Sequence, residues 1–344
     1  MAAYTTINDP TAFFNPTLYT GTGSSNAITG LGFQPDIVWI KNTASDFHVW
    51  TNAISGATKY VETNNTLVET TNAESVKSFD SDGFTVGTMN EVNTNTETFV
   101  SWNWKMGTTT GIDATGATIT PSSYSFNATA GQSIIEYTGT GVAGTLPHGL
   151  GATPAMMIVR NLGGGYNWMV YHEAMDSAGR QSKLNTTGAW TLVTTIWNNT
   201  LPTSVLFSVG TNSETNQSSD TLLAYCFTPI QGYSKFGKYV GNGNADGTFV
   251  YTGFRPSWVL VKAYEDAEPW TVSDDKRDGY NESNKTLRTA NTSAEGAQYV
   301  NLLSNGFKIT SNNTEINGSG YNYMYAAFAQ SPFVNSESVP TNAR

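Results

Sequence analysis

Apolar residues in this chain come in short runs bounded by turn-forming residues. Asp36-Ile-Val-Trp-Ile-Lys41 holds four apolar residues ended by a base, and so do its counterparts ending at Arg160 and Lys262. Runs of that length suit a strand buried on both faces and are too short for a helix. Asp82-Gly83 and Asn305-Gly306 carry the chemistry of a tight hairpin of the type I′ kind. After them, Phe84/Val86 and Phe307/Ile309 alternate with polar residues, which places each pair on one face of a strand. The pattern predicts an all-β protein with about six strands per unit packed as a sandwich.

The same signals recur in one order, three times. Tyr19-Thr-Gly-Thr-Gly23, Tyr137-Thr-Gly-Thr-Gly141 and Tyr239-Val-Gly-Asn-Gly243 each precede an apolar strand. Pro35, Pro154 and Pro256 are separated by 119 and 102 positions, and Trp50, Trp168 and Trp270 by 118 and 102. Each copy closes on an apolar strand: Phe99–Trp104, Leu222–Phe227 and Tyr323–Phe328. The expected fold is therefore three tandem β-sandwich repeats, jelly-roll or lectin-like, of roughly 100 residues each. The boundaries are an N-terminal arm at 1–12, repeats at 13–106, 124–230 and 231–334, a linker at 107–123 and a tail at 335–344. The Gly/Thr-rich linker predicts that repeat one stands apart from a docked pair made by repeats two and three. The arm is expected to order only against a neighbour.

Charge narrows the partners. Charged residues make up 13% of the chain, and 17 basic against 27 acidic side chains give a net charge of −10. Nucleic acid is not an expected partner, since a phosphate backbone would be repelled. No apolar run reaches the ~18 residues of a spanning helix, so no membrane insertion is expected. The single cysteine, Cys226, excludes an intrachain disulfide. The first residues have neither a basic n-region nor an apolar h-region, which predicts synthesis in the cytoplasm without a secretory signal.

Taken together, the Tyr-Thr-Gly-Thr-Gly and Gly32-Phe-Gln-Pro-Asp-Ile-Val-Trp-Ile-Lys41 motifs, Ser78–Phe84, Gly232-Tyr-Ser-Lys-Phe236 and Tyr251-Thr-Gly-Phe-Arg-Pro256 resemble a domain family of unknown function. That family recurs in bacteriophage tail and fibre-type virion proteins, mostly marine ones. The resemblance covers roughly residues 13 to 333. It implies a virion location in a host-made particle and supplies no catalytic residues to transfer.

Candidate chemistry is sparse. The three histidines, His48, His148 and His172, have no recurring partners, and no Gly-x-Ser-x-Gly elbow occurs. His172-Glu173 with Asp176 and the Asp80-Ser-Asp82-Gly stretch read as loop and turn rather than as metal ligands. No catalytic, cofactor or metal site is expected. Lys41, Arg160 and Lys262 are expected to cover apolar surface with their stems while their heads reach water. Trp50, Trp168 and Trp270, being repeated, are expected in the core. Tyr166, Trp190 and Tyr280 have no counterparts and are the candidates for a ligand-binding surface.

These features predict a non-enzymatic virion structural protein. The favoured reading is a tail fibre or spike-type module that binds a host glycan or envelope receptor. The alternative is a capsid decoration or connector protein. Other virion proteins and further copies of the chain are the expected partners.

Overall fold

A strand sends successive side chains to opposite faces, so an uninterrupted apolar run requires cover on both sides. The computed structural model, which describes residues 3–341 except 280 and 298, provides both covers. Strand pairing divides the all-β chain into three consecutive units, spanning 14–104, 123–227 and 234–332, each with one large and one small antiparallel sheet. In the first unit the large sheet runs Phe14–Thr20, Thr98–Trp104, Ile37–Asn42, His48–Asn52, Lys59–Glu62, Thr70–Thr71. The corresponding large sheets have seven strands in the second unit and six in the third.

In the strand Ile37–Asn42, Val38 and Ile40 face the small sheet and pack with Phe84 and Val86. Ile37 and Trp39 face the other way and join a cluster shared by all three units. Met157/Val159 and Val259/Val261 repeat the first role, and Met156/Ile158 and Trp258/Leu260 the second. The shared cluster also contains Trp50, Trp102, Trp104, Trp168, Tyr225, Trp270 and Phe328. Trp50, Trp168 and Trp270 are all buried, as their repetition predicted.

The units close into a ring. The backbone N–H of Glu69 donates to the carbonyl of Leu162 at 3.1 Å, Trp190 to Tyr264 at 2.7 Å, and Glu295 to Thr43 at 2.9 Å. These contacts join first to second, second to third and third to first. Unit one is thus not set apart, because the second cover for each large sheet is the other two sheets. The stretch 107–123 is not free either: Ile119 is buried in the second unit's core and Thr108 bridges to Phe126.

The described part of the arm is folded onto the third unit, against the expectation that it waits for a neighbour. Ile7 is buried in the central cluster, Thr5 Oγ1 donates to the Gln231 carbonyl at 2.6 Å, and the Tyr4 hydroxyl donates to Gly253 at 2.8 Å. Asn8 meets the tail through two hydrogen bonds to Ser336.

The hairpins differ in detail from the expected type I′ form. Asp80 pairs with Gly83 and Leu303 with Gly306, so the two-residue loops are Ser81-Asp82 and Ser304-Asn305. Glycine is required because a Cβ there would sit 1.9 Å from the Ile28 carbonyl oxygen at Gly83 and 2.1 Å from that of Val250 at Gly306.

Candidate functional site

The residues best equipped for chemistry are occupied by structure. Each histidine accepts a hydrogen bond at Nδ1 and faces a carbonyl with Nε2. His48 takes the indole N–H of Trp39 and faces the Arg288 carbonyl at 2.9 Å. His148 takes the N–H of Leu150 and faces Thr203 at 3.1 Å, and His172 takes that of Ala174 and faces Tyr325 at 3.0 Å. A donor at Nδ1 requires a lone pair there, so Nε2 carries the proton and donates to the carbonyl. Burial adds to this preference for the neutral ring. It pushes the pKa of His148 and His172 down to about 4, and that of His48 well below its ordinary value. Burial also pushes the Cys226 thiol up to about 12.

Lys41, Arg160 and Lys262 do not reach water as expected. All three are fully buried. Lys41 Nζ donates to the carbonyls of Asn42 and Ala44 at 2.6 and 3.0 Å, Lys262 Nζ to those of Ala263 and Asp266, and the Arg160 guanidinium to those of Tyr166 and Leu67. Each cation holds the turn that follows its own strand, and Arg160 also binds the neighbouring unit. Burial lowers the pKa of Lys41 and Lys262 to about 8 and that of Arg160 to about 10. A depressed lysine in a cleft would be a candidate nucleophile, but these are closed to solvent.

A second repeated device was missed in the sequence. Asn93, Asn216 and Asn317 end one-turn helices and are fully buried. Their Oδ1 atoms accept from the N–H of Thr22, Thr140 and Asn242 at 2.8, 2.7 and 2.9 Å, and their amides donate to carbonyls of the same Gly-rich loops. Those loops need their first glycine because a Cβ at Gly21, Gly139 or Gly241 would lie 2.0–2.3 Å from a backbone oxygen. The recurring Glu-x-Asn of Glu91-Val-Asn93, Glu214-Thr-Asn216 and Glu315-Ile-Asn317 was the signal available.

The open chemistry lies at the seam between units one and two. A cleft of about 560 Å³ is lined by Ser55, Lys59 and Glu69 from the first unit and Glu136, Gly163, Ser219 and Asp220 from the second, with Ile54, Leu162 and Thr221. Lys59 Nζ lies 3.5 Å from Glu69, and Asp220 accepts from the Asn161 amide at 2.9 Å. Burial, with the Glu69 charge behind it, raises the pKa of Glu136.

Strand register shows why the cleft is here. Lys59, Glu69, Glu136, Leu162 and Gly163 correspond at the next seam to Arg180, Trp190, Lys238, Tyr264 and Glu265. There Trp190 packs against the central cluster with the Arg180 guanidinium 4.1 Å from its ring centre, and Lys238 pairs with Asp176 at 2.8 Å. At the first seam Glu69 stands in place of the packed Trp190, and Gly163 brings no side chain where the next seam has Glu265.

Of the predicted ligand residues, Tyr166 and Trp190 are not brought together. Tyr166, half-buried, lies on the turn that holds Gly163 without lining the cleft, Trp190 sits at the second-to-third seam, and Tyr280 lies outside the described residues. His172, Glu173 and Asp176 form no metal site, and no group of three or more metal-binding side chains occurs among the described residues.

The chain is an all-β ring of sheets with an open cleft at its first seam. Over residues 9–332 it matches the family described as domain of unknown function DUF7483, and it belongs to that family. No curated protein and no solved structure matches it.

Proposed function

We propose that this chain is a non-enzymatic bacteriophage virion protein, built as three tandem β-sandwich repeats, that binds a host surface glycan. The observation that carries the reading is the open cleft at the first seam. Its volume lies within the ~300–1,000 Å³ of small-molecule sites, and its Ser, Lys, Glu and Asp lining offers the donors and acceptors that a hydroxyl-rich ligand satisfies. The non-enzymatic part is supported by the fixed structural duties of His48, His148 and His172 and by the burial of Cys226. The virion location rests on the motif resemblance described above, and the virion's other proteins and further copies of the chain belong to the same proposal.

A glycan array probed with the purified protein tests the binding function. Signal from a defined set of saccharides, abolished by filling the cleft, is the expected result, and an array without signal overturns it. Electron microscopy of a particle carrying the chain tests the location. Density at the tail tip fits receptor binding, whereas density over the capsid lattice favours decoration.

A further inference from the structure

Resting on the glycan reading of the cleft, we propose that it selects a saccharide carrying protonated amines. Among its lining residues Glu69, Glu136 and Asp220 oppose Lys59 alone, which leaves two negative charges. Lys59 is already Glu69's partner. Glu136 stands where the third unit has Lys238, so the first seam carries a carboxylate at a position that is cationic at the second. An ammonium group on the ligand relieves this surplus, while its hydroxyls meet Ser55, Ser219 and Thr221. A uronic acid adds a charge of the wrong sign.

The feature is a cavity between two units whose matching positions at the next seam carry other side chains, not a chance gathering of surface acids. At the second seam the matching positions hold the Arg180–Trp190 stack and the exposed Lys238–Asp176 pair. The first seam has neither.

The test titrates the full chain with three oligosaccharides of equal length, made of glucosamine, N-acetylglucosamine or galacturonate, at near-neutral pH and physiological salt. The glucosamine oligomer is expected to bind at least about tenfold more tightly than the acetylated one, and the galacturonate not at all. Glu136→Gln with Asp220→Asn should erase that preference while keeping the acetylated ligand. Gly163→Tyr, which leaves the net charge unchanged, should abolish both. Its melting curve shows whether the fold is kept, and the first side-chain atom a Cβ there meets is the movable Asp220 carboxylate.

Equal or tighter binding of the acetylated oligomer overturns the amine preference and leaves the glycan reading standing. Binding of galacturonate does the same. Silence from all three removes both. Glucosamine binding that survives Gly163→Tyr is attraction to the acidic surface at large and overturns the assignment to the cleft.

Discussion

The indole N–H of Trp39 donates to Nδ1 of His48 at 3.1 Å, and this bond determines which proton His48 carries. Strand register puts His48 where the other units have Trp168 and Trp270. Each of the three reaches across a seam to an equivalent carbonyl: His48 to Arg288 at 2.9 Å, Trp168 to Glu62 at 3.1 Å and Trp270 to Lys183 at 3.1 Å. Trp50, the repeat partner expected from spacing, is offset by two residues: the first unit's turn is one residue shorter, and Trp50 lies nine residues after Lys41 where Trp168 and Trp270 lie eight after Arg160 and Lys262. Only at the first-to-third seam does this donor titrate.

Acid should therefore loosen the ring. The folded pKa values of His148 and His172, about 4, lie below the ordinary value of 6.5. Their contribution is thus fully present above pH ~6.5 and lost as pH falls toward ~4, at up to about 3 kcal/mol each. His48 acts in the same direction. Asp275, raised to about 6 by burial, acts oppositely and offsets part of the loss. Urea midpoints at several pH values should fall below pH ~6.5, and His48→Gln should reduce proton uptake on unfolding by about one. A flat profile from neutral to pH ~4.5 would contradict this.

Replacing Trp50, Trp168 or Trp270 by Ala should cost about 3–5 kcal/mol. Because all three lie in one cluster, the loss should spread to every unit and calorimetry should show a single transition. Trp168→Phe and Trp270→Phe keep most of the packing and give up the seam hydrogen bond, for about 1 kcal/mol. Separate melting of one unit in a Trp→Ala variant would show the units to be independent.

Asn216→Ala should cost roughly 2–4 kcal/mol, since it strands the Thr140 N–H and two carbonyls that the amide served. Asn93→Ala and Asn317→Ala should behave alike. Denaturant midpoints check this, and values within about 0.5 kcal/mol of the parent, the range of an ordinary surface substitution, would remove the pinning role.

Deleting residues 1–8 should lower the melting temperature of the free protein, by an amount equivalent to about 2–3 kcal/mol for Ile7 burial and the Thr5 and Tyr4 bonds. An unchanged melting curve would show that the arm contributes nothing to the stability of the fold.

The strands were legible because runs such as Ile37–Ile40 leave little choice of structure. The ring was half legible. A run apolar on both faces demands two covers, and the small sheet supplies only one, so the second had to come from outside the unit. Gly/Thr-rich composition at 107–123 suggested slack instead. Lys41, Arg160 and Lys262 misled because a base at a strand end usually emerges into water, whereas here the turn's own carbonyls solvate it. The cleft was invisible because Lys59, Glu69, Glu136 and Asp220 are far apart in sequence and no motif joins them. Setting Glu69 beside Trp190 in a register-corrected alignment would have been the clue.

The clasp between Asn8 and Ser336 fixes an order of events at the ribosome. The N-terminal segment emerges first, yet its resting place on the third unit is made last. The tryptophan-rich faces of the first large sheet must also wait for partners some two hundred residues away. Such long-range pairing slows folding and leaves sticky surface bare during synthesis. Native packing should thus be completed only after the last strand, Asn322–Pro332, has left the ribosome. A nascent chain stalled before residue 234 should be protease-sensitive and bound by chaperones, while the released protein resists digestion.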